Sequence, residues 1–216
     1  MINRELYMEQ ITPFIDKPFV KVITGIRRCG KSVVLRLIRE ELLRRGVSED
    51  YIIYMNFESF EWIDMKEAKA LYAHIREATK ASGKYYILLD EIQEVTDWEK
   101  AVNAFLVDLD VDIYVTGSNS RLLSSEFSTY LAGRYVAFHI MTLSFKEYLL
   151  FHNLSLTISA SDRKAEFLKY LRMGGFPAIH TANYDYNAIY KIVYDIYSSV
   201  ILRDTCLLYT SPSPRD

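Results

Sequence analysis

The stretch TGIRRCGKS, Thr24 to Ser32, lies between an apolar run, FVKVIT, and a helix-like run, VVLRLIREELLRRG. Few patterns this short limit a fold so tightly. Gly25 and Gly30 allow the backbone to curl until successive N–H groups face an anion, and the helix that follows adds the positive end of its dipole. Lys31 is placed to reach the β and γ phosphates of a nucleotide, and the Ser32 hydroxyl to ligate Mg²⁺. Ile26, Arg27, Arg28 and Cys29 complete the loop and are candidate nucleotide contacts with the rest of Gly25 to Ser32. Arg27 and Arg28 also suit solvated loop positions, and Cys29 is read as a loop residue rather than a redox switch.

A loop of this kind requires a strand before it and a helix after it, and the remaining sequence continues that alternation. The strands expected are FVKVIT, YIIYMNF, YYILLD, VDIYVTGS and RYVAFHIM. YYILLD is an uninterrupted apolar run, the mark of a strand buried on both faces. Helices are expected from about Lys31 to Arg45 and from Met65 to Ala81. Another is predicted to open on a Thr96/Glu99 capping box and run to about Leu109, and a further one to open on Ser144 with Glu147. The fold class predicted is therefore α/β, a parallel sheet flanked by helices and followed by a helical segment.

Composition narrows the function classes. With 216 residues, 50% of them hydrophobic, the chain can bury a full core, and a net charge of −2 gives no support to a strongly basic nucleic-acid module. Two cysteines without metal-ligand spacing suggest a reducing, cytoplasmic setting rather than a disulfide scaffold. The N-terminus, MINRELYMEQITPFIDKP, lacks the long apolar stretch of a signal peptide or membrane span. His74, His139, His152 and His180 show no ligand spacing and read as structural, and the aromatic residues of YYILL and YIIYMNF read as core rather than base-stacking platforms.

If the loop holds ATP for hydrolysis, a carboxylate on a neighbouring strand must help hold Mg²⁺ and a base must activate water. YYILLDEIQ offers both: Asp90 for the metal and Glu91 for the water. The end of the fourth strand, TGSNS, offers Ser118 or Asn119 to sense the γ-phosphate, with nothing in the sequence to choose between them. Arg134 is a candidate for neutralising transition-state charge, in its own site or a neighbour's. Asn56 and Glu58, after the second strand, are candidate lining residues.

The segments GIRRCGKS, DEIQEVTDWEKAV, VTGSNSRLLSSEFSTYLAGRY, LSFKEYL, GGFP and YSSVILRD, in that order, resemble a prokaryotic group of P-loop ATPases of the AAA type, the AAA_14 group whose members carry a C-terminal DUF4143 domain. The resemblance covers nearly all of residues 1–205. It implies an ATP-binding core over residues 1–152, with the inserted strand order of the ASCE class. It also implies a partial helical or winged-helix segment over 153–205 that leads to a DUF4143 domain beyond this chain. ATP and Mg²⁺ are the implied ligands, Gly25 to Ser32, Asp90, Glu91 and the GSN stretch the implied site residues. The last stretch, CLLYTSPSPRD, matches the in-frame translation of a transposase adapter used in DNA libraries, so Cys206 to Asp216 is expected to be non-native.

The function expected is Mg²⁺-dependent ATP hydrolysis coupled to a change in the C-terminal segment. The alternatives are a nucleotide-gated binding module with little turnover, against which Glu91 speaks, and a small-molecule phosphotransferase, for which no acceptor signature is present. Partners left open are a protein client, further copies of the chain and nucleic acid.

Overall fold

The computed structural model describes residues 4–117, 131–181 and 184–209, with residues 200–209 by backbone alone. It contains one five-stranded, all-parallel sheet in the order β2-β3-β4-β1-β5. The strands are β1 (Val20–Gly25), β2 (Ile52–Asn56), β3 (Tyr85–Asp90), β4 (Val111–Gly117) and β5 (Tyr135–Ile140). The helices interleaved with them are α1 (Glu5–Ile11), α2 (Lys31–Arg44), α3 (Ala68–Ala78) and α4 (Trp98–Asp108). Placing β4 between β1 and β3 is the inserted-strand order expected from the sequence.

Because successive side chains point to opposite faces of a strand, each strand has two distinct jobs. One face carries Val20, Val22, Met55, Ile87, Leu89, Ile113 and Val115, which pack with Leu71 and Ile75 of α3 and Trp98, Val102 and Phe105 of α4 into the main apolar core. The other face carries Lys21, Ile23, Tyr54, Leu88, Asp90, Asp112, Tyr114 and Thr116 and meets α2. Its apolar members are sealed by Leu35, Ile38 and Leu42, all fully buried.

That second face has a polar cluster at its amino-terminal end. Lys21 and Asp112 form a buried ion pair. The Lys21 ammonium also donates to Lys17 O at 2.9 Å, and Asp112 accepts from Tyr114 Oη at 2.8 Å and the Asp16 N–H at 2.9 Å. Tyr86 Oη donates to Asp16 at 2.8 Å. Burial pushes the Lys21 ammonium below its ordinary pKa while Asp112 pulls the other way, and burial pushes the Tyr114 hydroxyl far up.

Two helix starts differ from expectation. The Thr96/Glu99 capping box does not form: α4 begins at Trp98 behind Asp97, which is left-handed at φ 57°. The Thr96 backbone is instead spent on pairing, its N–H donating to Lys66 O and its carbonyl accepting from the Ala68 N–H. The same pairing holds Glu67 extended, so the expected Met65 to Ala81 helix is divided into a 3-10 stretch, Phe60–Met65, and α3.

The described residues of 26–30 and from 141 onward form a second compact unit. Its described helices are α5 (Phe145–Phe151), α6 (Ala160–Met173) and α7 (Tyr186–Tyr209). The Ser144/Glu147 capping box forms as predicted, with the serine hydroxyl and N–H both bonded to the glutamate carboxylate at 2.9 and 2.8 Å. The GGFP segment has a steric reason for its second glycine: a Cβ on Gly175 would stand 2.5 Å from Leu143 O.

Of the four histidines, two meet here: His152 Nε2 lies 3.1 Å from His180 Nδ1, and His180 Nε2 lies 2.9 Å from Gly174 O. A carbonyl only accepts, so neutral His180 carries its proton on Nε2 and takes a bond from His152 Nε2–H at Nδ1. Burial pushes both rings below the ordinary histidine pKa. Among the described residues no group of three or more His, Cys, Asp or Glu could hold a metal, and no helix is long and apolar enough to cross a membrane. Helix α7 runs through Cys206 to Tyr209, past the boundary expected at 205.

Candidate functional site

In a parallel sheet all strand carboxyl ends share one edge, where ligands of open α/β sheets bind. Here that edge brings together the ends of β1, β2, β3 and β4, with Gly25, Asn56, Asp90 and Thr116 in adjacent registers. Lys31 follows as the first residue of α2 and is buried. Its Nζ donates to Gly25 O at 3.3 Å and lies 3.4 Å from Glu91 Oε1. Ser32 is half-buried in the same helical turn.

Asp90 is fully buried. Its Oδ1 accepts from Thr116 Oγ1 at 2.5 Å and its Oδ2 from Tyr54 Oη at 3.0 Å. Both donors are neutral. Burial, then the Asp90 carboxylate, push the Tyr54 hydroxyl well above its ordinary pKa, so it stays a donor at any physiological pH. A dehydrated carboxylate served only by hydroxyls favours a cation, and a divalent ion with oxygen ligands suits this donor set.

Two successive carboxylates cannot share an edge while the strand stays regular, since Glu91 would face the apolar core. The backbone resolves this by turning left-handed at Glu91, φ 55° and ψ 49°. The conformation costs a non-glycine residue about 1–2 kcal/mol. A bond from the Glu91 N–H to Thr116 Oγ1, 2.9 Å, supports the turn. The Glu91 side chain reaches Lys31, and its Oε2 accepts from Gln93 Nε2 at 2.5 Å.

The loop residues 26–30 are described on their own. Ile26, Arg27 and Arg28 are exposed and Cys29 is buried. Arg28 is left-handed at φ 66°, and Gly30 stands at φ 106°, a conformation that side chains avoid. Burial of Cys29 runs against a role in redox sensing.

Other expected site residues fare differently. Asn56 sits opposite Asp90, its Oδ1 accepting from the Glu58 N–H at 3.0 Å, so Glu58 is placed by its backbone. Ser118 and Asn119 lie outside the described residues. Arg134 is not brought to this group. Its carbonyl accepts from the Val20 N–H at the opposite edge, and its guanidinium donates to Asn103 at 3.0 Å. The length of β1, at about 3.3 Å per residue, separates the two edges by roughly 20 Å. An Arg at the entrance to a strand cannot reach the exit of the neighbouring strand in its own chain.

Tyr54, Thr116 and Gln93 were not singled out from the sequence. For Thr116 and Tyr54 a signal existed: each is a polar group in an otherwise apolar strand, on the face that period-two alternation assigns to Asp90. Gln93 had no comparable signal.

An uncharacterized protein of Haemophilus influenzae is 42% identical over 205 residues, covering 94% of this chain and 50% of its own length. One from Methanocaldococcus jannaschii is 35% identical over 209 residues, covering 94% and 44%. The chain thus spans about half the length of the curated relatives it matches. Among solved structures, AMPPCP-bound DnaA from Aquifex aeolicus superposes with a TM-score of 0.54 at 17% identity, over 83% of this chain and 60% of that one. This likeness shows a shared α/β fold. Residues 17–149 match the AAA_14 family, an AAA domain. Family membership supports ATP binding as the function class, and by that match this chain belongs to the AAA domain family.

Proposed function

We propose that the chain is a Mg²⁺-dependent ATPase whose site is the carboxyl edge of the sheet with the loop Gly25 to Ser32. The observation that supports this best is the pairing of Lys31 with Glu91 beside a buried Asp90 that is bonded only to neutral donors. In this reading the Lys31 ammonium takes the β and γ phosphates. Ser32 and Asp90 would hold Mg²⁺, and the ion would supply neutralisation of charge on the phosphates. Arrival of the phosphates gives Lys31 a stronger anionic partner, freeing the Glu91 carboxylate to accept a proton from the attacking water. Ser118 or Asn119, which follow β4 in the sequence, is proposed to read the γ-phosphate. With the two edges of the sheet roughly 20 Å apart, Arg134 is proposed to serve a neighbouring copy's site, which requires a homo-oligomer.

Hydrolysis is proposed to move the helical segment after β5 and, through it, a C-terminal DUF4143 domain of the longer protein, acting on a protein client. The test is turnover by the full chain beside Glu91→Gln, with ATP affinity measured in both. The expected result is a loss of about 10²–10⁴-fold in kcat with ATP affinity nearly unchanged. Binding without turnover in either chain would replace this reading with the nucleotide-gated switch.

A further inference from the structure

One hydroxyl at the carboxyl edge touches both carboxylate residues. Thr116 is fully buried at the penultimate position of β4, the strand inserted between β1 and β3. Its Oγ1 has a single hydrogen. Because the Glu91 N–H can only donate, the threonine oxygen must accept there, and its own proton goes to Asp90 Oδ1. Both bonds therefore have a fixed direction. One holds the carboxylate on which the cation would sit. The other supports the left-handed turn without which Glu91 would point to the apolar face.

We infer that Thr116 is a positioning residue: its hydroxyl sets the orientation of the Asp90 carboxylate and, through the Glu91 backbone, the aim of the Glu91 side chain toward Lys31. This rests on the ATPase reading, but it is a separate claim with a separate readout. The two limbs predict two losses from one substitution. Removing the hydroxyl while keeping the shape, Thr116→Val, leaves Asp90 with Tyr54 alone and leaves a buried Glu91 N–H without its partner. Removing only the methyl, Thr116→Ser, keeps both bonds. A role in packing alone would give the opposite order, since valine fills the space and serine does not.

The experiment compares the full chain with Thr116→Val and Thr116→Ser, reading Mn²⁺ affinity in the presence of ATP by paramagnetic resonance, kcat and KM for ATP, and thermal midpoint. Partners that orient metal ligands typically contribute 10–100-fold to affinity or rate. Thr116→Val is expected to weaken nucleotide-dependent Mn²⁺ binding and to lower kcat by about that factor, with KM within roughly 3-fold, and Thr116→Ser to restore both. Unchanged Mn²⁺ affinity and kcat in Thr116→Val, or losses in Thr116→Ser as large as in Thr116→Val, would overturn the assignment. If Thr116→Val does not fold, Thr116→Cys takes its place; its weak donor must give a partial loss, and wild-type behaviour would overturn the assignment. An unmodified chain that binds Mn²⁺ with ATP but shows no turnover defeats the ATPase reading, and the Mn²⁺ comparison then decides Thr116 by itself. Absence of nucleotide-dependent Mn²⁺ binding in the unmodified chain would overturn both.

Discussion

Strand β4 carries two polar clusters on one face, and they are built to opposite rules. At its amino-terminal end, Asp112 meets a lysine ammonium, a tyrosine hydroxyl and a backbone N–H, so its charge is neutralised within the protein. At its carboxyl end, Thr116 meets Asp90, whose side-chain partners among the described residues are two hydroxyls that carry no charge. Both carboxylates are buried to the same degree. The difference teaches how one strand can treat buried carboxylates in two ways: Asp112 is closed by a cation of the protein itself, whereas Asp90 is served by neutral donors, and on the proposed function Mg²⁺ would supply the positive charge there.

The sharpest way to break this comparison is to change each carboxylate to its amide. Asp112→Asn leaves the Lys21 ammonium buried without its counterion and is expected to cost about 3–5 kcal/mol of stability in denaturant unfolding. Replacing the pair together, Lys21→Met with Asp112→Leu, is expected to recover most of that loss, because apolar side chains of similar volume remove both charges at once. Asp90→Asn is expected to change stability by less than about 1 kcal/mol, since it removes a buried charge, the amide oxygen can still accept from Thr116, and the Tyr54 hydroxyl can rotate to accept from the amide nitrogen. Equal costs at the two ends would end the distinction.

A smaller effect concerns the histidine pair of the second unit. His152 and His180 have folded pKa values below the ordinary 6.5, chiefly through burial, so the folded state binds fewer protons than the unfolded one. Their contribution to stability is therefore present above about pH 6.5 and is lost as pH falls below it toward the depressed values. Glu166 opposes the shift at His152 while Lys169 reinforces it, and the Gly174 carbonyl opposes it at His180. The expected outcome is a decline in thermal midpoint as pH falls below about 6.5 that is reduced in His180→Gln. An unchanged slope in that variant would show that the pair does not titrate on unfolding.

Much of this fold was legible because its signals are local. The β1 run, the Gly25 to Ser32 loop and the apolar β3 each announce themselves within a few residues, and the Ser144/Glu147 capping box is a contact between neighbours in sequence. What sequence missed depends on pairing across distance. The Thr96 cap fails because Lys66 and Ala68, far back in the chain, claim the Thr96 backbone first. Thr116 and Tyr54 gain meaning only once strand order sets them on either side of Asp90. Arg134 illustrates the converse: the GR pair suggested a catalytic arginine acting in its own or a neighbour's site, and only topology shows that it stands at the edge opposite Asp90 and Glu91.

The central claim, that the carboxyl edge of the sheet is a Mg²⁺ and ATP site, is tested most directly by calorimetric titration of the full chain with ATP, with and without Mg²⁺, beside Lys31→Ala. The account predicts binding that tightens with Mg²⁺ and falls by at least about 10-fold in Lys31→Ala, a loss of roughly 1.4 kcal/mol. Binding that is indifferent to both Mg²⁺ and Lys31 would contradict it.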